Sequence, residues 1–166
     1  MKLITFCGAF FFLSLCIPSW SQSGQSTYCN NRFGFCVQYP ESLRPVQDAA
    51  INGDGLTLEL AGSSITVSVS GSHNAMDWTP EKIYYYAQEE LADRGKSAVQ
   101  KIHEKVNDKG FDALLTSGEL YEYTRMWLLD ESYLIIIISG KNTDKAMIEQ
   151  LSREVSVEFQ STAPEK

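Results

Sequence analysis

The chain has 166 residues, carries 21 acidic against 14 basic side chains for a formal net charge of −7, and is 43% hydrophobic. That length and apolar content suffice for one domain with its own core. The acidity, with no basic cluster to offset it, argues against nucleic acid or an anionic membrane as a partner.

Residues 1–21 read as an export signal: Lys2, an apolar run from Leu3 to Ile17 that includes Phe10, Phe11 and Phe12, then Pro18 and the small residues Ser19 and Ser21 before Gln22. The run is shorter than the ~20 residues a bilayer-spanning helix needs, so no stable membrane insertion is expected after cleavage. The expected compartment is the periplasm, with secretion or a lipid anchor at Cys16 as alternatives. Cleavage removes Cys7 and Cys16 and leaves Cys29 and Cys36 as the only pair. An exported chain with one pair is expected to oxidise it. The C-x6-C spacing has no accompanying histidine at a metal-ligand spacing, so no metal site is expected.

Residues 22–27 are small and polar, an expected disordered lead-in to a single domain over 28–160. Arg32 to Tyr39 alternates like a strand and stops at Pro40. Asn52-Gly53-Asp54-Gly55 predicts a turn, since the glutamate of a calcium loop does not follow it. Leu56, Leu58 and Leu60, then Ile65, Val67 and Val69, predict a hairpin with one buried and one wet face.

Thr79-Pro80-Glu81 predicts a helix start: a capping hydroxyl, proline at the first helical position and an acid near the positive end of the dipole. Ile83, Tyr84, Ala87 and Leu91 form its apolar stripe, Tyr85 faces out, and Gly95 is the expected stop. Ser97 to Val106 fits a helix or a strand equally by periodicity. Phe111 to Thr116, Leu120 to Leu129 and Tyr133 to Ser139 predict strands, with Asp130-Glu131 as a turn. The run Leu134 to Ile138 is apolar on both sides and therefore belongs at the centre of a sheet covered on both faces. A last helix is expected from Lys141, capped by Asn142 or Thr143, with Met147, Ile148, Leu151 and Val155 on its apolar stripe. Glu158 onward tails off, with residues 161–166 a flexible end. The sum is an α+β fold: a layered α/β/α sandwich around a mainly antiparallel sheet of about six or seven strands.

The segments RFGFCVQYPESL (Arg32 to Leu43), NGDGLTLEL (Asn52 to Leu60) and a closing helix that ends in Val155-Ser156-Val157-Glu158-Phe159 resemble the PsbP-like superfamily. Its first strand follows an F-x-F-x-x-x-Y-P pattern, here Phe33 to Pro40. The resemblance implies a sheet sandwiched between helices over roughly residues 30–160 and a strand at Ser97 to Val106. It also implies a binding or assembly role, with no shared catalytic set to transfer.

The chain contains no nucleophile elbow, phosphate-cradling loop or dinucleotide fingerprint, so no catalytic residue and no cofactor are expected. Candidate binding residues are His73 and Trp78 around the polar segment before the first helix, Tyr85 on that helix, and Tyr121, Tyr123, Arg125 and Trp127, which alternate onto one face of a strand. The expected function is that of a non-enzymatic exported binding or assembly domain for a protein partner or small ligand. The alternatives are an immunity or chaperone protein that neutralises a secreted toxin, and a small hydrolase in which His73 is oriented by Asp77.

Overall fold

The computed structural model describes residues 24–46 and 53–160. The expected signal at 1–21, the tail at 161–166 and Asn52 of the expected turn lie outside them. The elements run β1 (Gln25–Asn30), β2 (Phe35–Pro40), β3 (Leu43–Pro45), β4 (Gly55–Leu60), β5 (Thr66–His73), α1 (Pro80–Gly95), β6 (Gln100–Asn107), β7 (Gly110–Ser117), β8 (Leu120–Leu128), β9 (Ser132–Lys141), a 3₁₀ turn (Asn142–Asp144), α2 (Lys145–Glu154) and β10 (Ser156–Phe159).

All pairings are antiparallel, and the strands form two sheets: seven strands in the order β3-β4-β5-β9-β8-β7-β6, and three in the order β1-β2-β10. The fold class therefore holds, and β9 takes its central place because its run of β-branched residues buries both faces at least in part. One face of the large sheet packs under the small sheet and α2. Phe35, Val37, Leu58, Val67, Leu134, Ile136, Ile138, Ile148 and Leu151 close that larger core. The other face carries α1, with Ile83, Tyr84 and Leu91 set against Phe111, Ala113, Leu115 and Met126. Gly71 lets the Phe33 ring lie flat on β5, because a Cβ at that position would come within 2.4 Å of the ring. This contact ties the small sheet to the large one.

Several boundaries differ from expectation for identifiable reasons. Residues 25–27 are not a disordered lead-in; they form the first half of β1. Its polar side chains are tolerable because the strand lies on the wet side of β2. Cys29 and Cys36 face each other across that ladder, 4.0 Å apart at Cα, and are joined by a disulfide. Ser156 to Phe159 neither ends a helix nor starts a tail: as β10 it pairs with the free edge of β2, Val157 opposite Val37. The closing helix starts later than expected. Asp144 accepts from the Lys141 backbone N–H and from the Ser64 hydroxyl (3.4 and 2.6 Å), so a 3₁₀ turn precedes α2. Met147, expected on the buried stripe, is 40% exposed, while Ile148 and Leu151 are buried.

The expected α1 start is found, with Thr79 Oγ1 accepting from the Lys82 N–H and Pro80 in the first turn. The helix also stops at Gly95 as expected, but the cap falls one residue later. Lys96 carries it, left-handed at φ 52°. The ambiguous segment is strand β6, with a register shift at Ile102.

Candidate functional site

α1 packs over β7, β6 and part of β8 and leaves the neighbouring faces of β4, β5 and β9 without a helix. The uncovered strip is a groove of about 560 Å³. Its floor is set by strand register: Ser72 opposite Tyr133, Ser70 opposite Ile135, Ser68 opposite Ile137, and Thr57 beyond Ser68. Because side chains alternate, the same strands that send Val67, Val69, Leu134, Ile136 and Ile138 into the core send hydroxyls and isoleucines into the groove. Ile135 and Ile137 are only half-buried there. β9 is thus apolar on both faces but fully covered on one alone.

The helix side of the groove carries Trp78, Tyr86, Ala87, Glu90 and Arg94. Trp78 is fixed by Asn74, whose side chain donates to the Trp78 carbonyl at 3.0 Å and accepts from its N–H at 2.9 Å. Its ring stacks on Tyr86 with centroids 4.7 Å apart. At the far end, Arg94 reaches from the last turn of α1 to Glu122 at 2.5 Å, with Ser139 Oγ at 3.4 Å and Glu90 at 3.8 Å. Glu122 is 1% exposed and its second oxygen accepts from Thr124 Oγ1 at 3.2 Å. A carboxylate so buried needs its partner, because an uncompensated charge in the interior costs several kcal/mol. The pair therefore pins the end of α1 to β8 and closes the groove.

The candidate binding residues separate into five places. Tyr121 and Tyr123 are core: they are 2% and 6% exposed, and their hydroxyls donate to Glu149 and Asp112, each at 2.7 Å. Burial first, then those carboxylate acceptors, push both phenols above the ordinary tyrosine range. Arg125 and Trp127 remain accessible on the same face of β8, Arg125 being 43% exposed with Nε on Asp112 at 2.7 Å. Trp78 lines the groove. Tyr85 is half-exposed on the outer flank of α1, where its hydroxyl donates to Glu89 at 2.6 Å. That bond, ahead of any burial, raises its pKa. His73 ends β5 rather than sitting in a loop and packs its ring against Phe33 at 5.1 Å. His73 and Asp77 line one shallow depression, and no hydrogen bond joins them among the described residues.

Sequence reasoning missed Ser68, Ser70, Ile135, Ile137, Arg94 and Glu122. Two signals pointed to them: the doubly apolar run of β9, and a lone carboxylate, Glu122, in register with Thr124, Met126 and Leu128 on a central strand. Among the described residues no group of three or more histidine, cysteine or acidic side chains is placed to hold a metal, and no helix is long and apolar enough to cross a membrane.

The architecture, a central antiparallel sheet with a helix on one face and a helix plus a small sheet on the other, has counterparts among solved structures. The chain is similar to the solution structure of cyanobacterial PsbP (CyanoP) from Synechocystis sp. PCC 6803, with a TM-score of 0.57, 12% identity, and coverage of 86% of this chain and 97% of that one. It is also similar to the Ran-binding protein Mog1p of Saccharomyces cerevisiae, with a TM-score of 0.59, 8% identity, and coverage of 81% and 95%. The chain has the PsbP-like fold that these two share, as its opening strand motif implied. No family model matches the sequence, and no curated protein is significantly similar to it.

Proposed function

We propose that this chain is an exported, non-enzymatic binding domain whose recognition site is the groove between α1 and the β4-β5-β9 face. The observation that carries the reading is the second face of β9. A strand apolar on both sides calls for cover on both, yet Ile135 and Ile137 stay half-buried beneath an open groove. A ligand laid there buries that apolar strip at roughly 25 cal/mol per Å², while Thr57, Ser68 and Ser70 supply hydrogen-bonding groups that fix its orientation. An extended segment of a protein partner or an elongated small molecule meets those terms. Mog1p, of the same fold, is a Ran-binding protein, which supports a binding role without indicating a partner. Export rests on the leader read in residues 1–21 and on the Cys29–Cys36 disulfide, which suits an oxidising compartment such as the periplasm.

The test compares what immobilised mature protein retains from an envelope extract with what its Ser70→Phe variant retains. Ser70 is half-buried on the groove floor and outside both cores, so the variant is expected to keep its fold by circular dichroism. A component held by the natural protein and lost by the filled one bears the reading out. Equal recovery from both overturns the groove as the site.

A further inference from the structure

On the sheet face opposite the groove, three strands align in register to make a second recessed surface. Lys105 of β6 lies opposite Asp112 of β7, which lies opposite Arg125 of β8; in the next row Asn107, Gly110 and Trp127 stand in line. Because Gly110 has no side chain between Asn107 and Trp127, the second row is hollow, and the depression holds about 210 Å³. Lys105, Lys109 and Arg125 line it with Asp112 as its one carboxylate. That carboxylate is already engaged: Oδ2 takes Arg125 Nε and the Tyr123 hydroxyl, each at 2.7 Å, and Oδ1 lies 3.9 Å from His103 Nε2. The neighbouring acid of the β6–β7 turn, Asp108, lines a different depression with Asp77 and Asp130. In a chain of net charge −7, this hollow has more cations than anions.

Arg125 is held in place before any ligand arrives. Its guanidinium stands 5.4 Å from the Trp127 ring centroid and 5.9 Å from that of Tyr123, and Asp112 occupies Nε. Its two terminal nitrogens have no protein partner among the described residues, and a free guanidinium edge matches the two oxygens of a carboxylate. Beside it, Trp127 meets Phe159 edge-on at 6.0 Å, and Phe159 is 43% exposed. The hollow therefore offers an oriented cationic fork, two flanking lysines and an aromatic ledge.

We infer that this hollow binds an acidic segment of a protein partner, with one carboxylate on the terminal nitrogens of Arg125 and a neighbouring apolar side chain on Trp127 and Phe159. The ledge has no role with a bare inorganic anion. The negative charge of the rest of the chain disfavours extended polyanions such as nucleic acid or an anionic bilayer. A short acidic and apolar stretch satisfies both conditions. The surface lies on the other side of the sheet from the groove and adds a second contact to the binding role proposed above.

The probe is a dye-labelled peptide of alternating aspartate and phenylalanine, followed by fluorescence anisotropy on the mature protein. Saturable binding that weakens with added salt is expected. Arg125→Gln should weaken it about tenfold or more, with Arg125→Lys in between, because a lysine keeps the charge and loses the fork. Lys105→Gln combined with Lys109→Gln alters two exposed side chains of the hairpin; it should weaken binding by several-fold while the fold stays intact. Ser70→Phe should change nothing, which separates this site from the groove. The inference is overturned by absent binding, by equal affinity across the arginine and lysine variants, or by inorganic phosphate displacing the labelled peptide as readily as unlabelled peptide does.

Discussion

Three tyrosines show how single side chains couple this fold to pH. Tyr84, Tyr121 and Tyr123 each place the ring in a core and the hydroxyl on a carboxylate: Glu104 at 2.9 Å, Glu149 at 2.7 Å and Asp112 at 2.7 Å. Burial is the larger cause and the carboxylate bond the second, and both raise the phenol pKa. Glu104 is correspondingly held below the usual carboxylate range, first by Lys101 and then by the Tyr84 hydroxyl. A group whose pKa is higher folded than unfolded binds its proton more tightly in the native state. Its stabilisation is complete below about pH 10, where free phenols start to ionise, and declines as the pH climbs further. We therefore expect alkaline unfolding in which the phenolate absorbance of these three residues rises together with the loss of circular dichroism. Tyr123→Phe should flatten the alkaline slope. Ionisation of all three at the ordinary tyrosine pH with the fold intact would contradict the assignment. The sequence placed Tyr121 and Tyr123 on one face correctly, but their hydroxyl partners lie 28 and 11 residues away along the chain, respectively, which no local pattern reveals.

At the scale of elements, the end of α1 separates two reasons for a glycine. The sequence suggested Gly95 as the helix stop, and α1 does end there, yet the left-handed residue is Lys96, whose N–H bonds back to the Ala92 carbonyl. Gly95 is needed for space: a Cβ there would meet Ser117 Oγ at 2.3 Å and the Ser117 carbonyl at 2.4 Å. The helix end is thereby seated against the β7–β8 turn, and Arg94 is brought to Glu122. Opposite outcomes are expected for the two neighbours. Gly95→Ala should destabilise by about 1–3 kcal/mol through overpacking, despite the better helix propensity of alanine. Lys96→Gly should stabilise by about 0.5–1 kcal/mol, because it relieves a left-handed side chain. Urea unfolding of both variants checks this, and a stabilised Gly95→Ala would show that the turn yields freely. Elements with strong local signals were legible in the sequence: the α1 start at Thr79-Pro80, the β4–β5 hairpin and the β8–β9 pair. β1 and β10 were not. Each is short or polar and exists because β2, buried at Phe35 and Val37, needs a hydrogen-bonding neighbour on both edges.

At the scale of the molecule, the small sheet is fastened to the large one by Phe33 on Gly71 and by the core around Phe35 and Val37, while the disulfide ties its outer strand β1 to β2. Cys29 and Cys36 are seven residues apart, and closing so short a loop contributes roughly 2–3 kcal/mol by the loop-entropy estimate. Thiol labelling of the unreduced protein should leave Cys29 and Cys36 unlabelled. Reductant should lower the urea midpoint by an amount equivalent to that free energy, while the seven-stranded sheet persists. An unchanged midpoint would mean that the β1–β2 ladder and its core hold the hairpin without the bond.

The two open surfaces follow from how far each layer extends over the large sheet. α1 stops short of β4, β5 and β9 and leaves a groove, while the small sheet and α2 leave the Lys105–Arg125 row open on the other face. By itself the sequence determined the cysteine pair, the long strands and α1, because each is written in local composition or in a period of two or 3.6 residues. It also placed Arg125 and Trp127 on one strand face. Only the tertiary structure decided which half of each face is covered, that Tyr121 and Tyr123 belong to the core, and that the second face of β9 lines a groove with Ser68 and Ser70. Coverage depends on where separate layers end relative to one another, and that is a property of packing between distant segments.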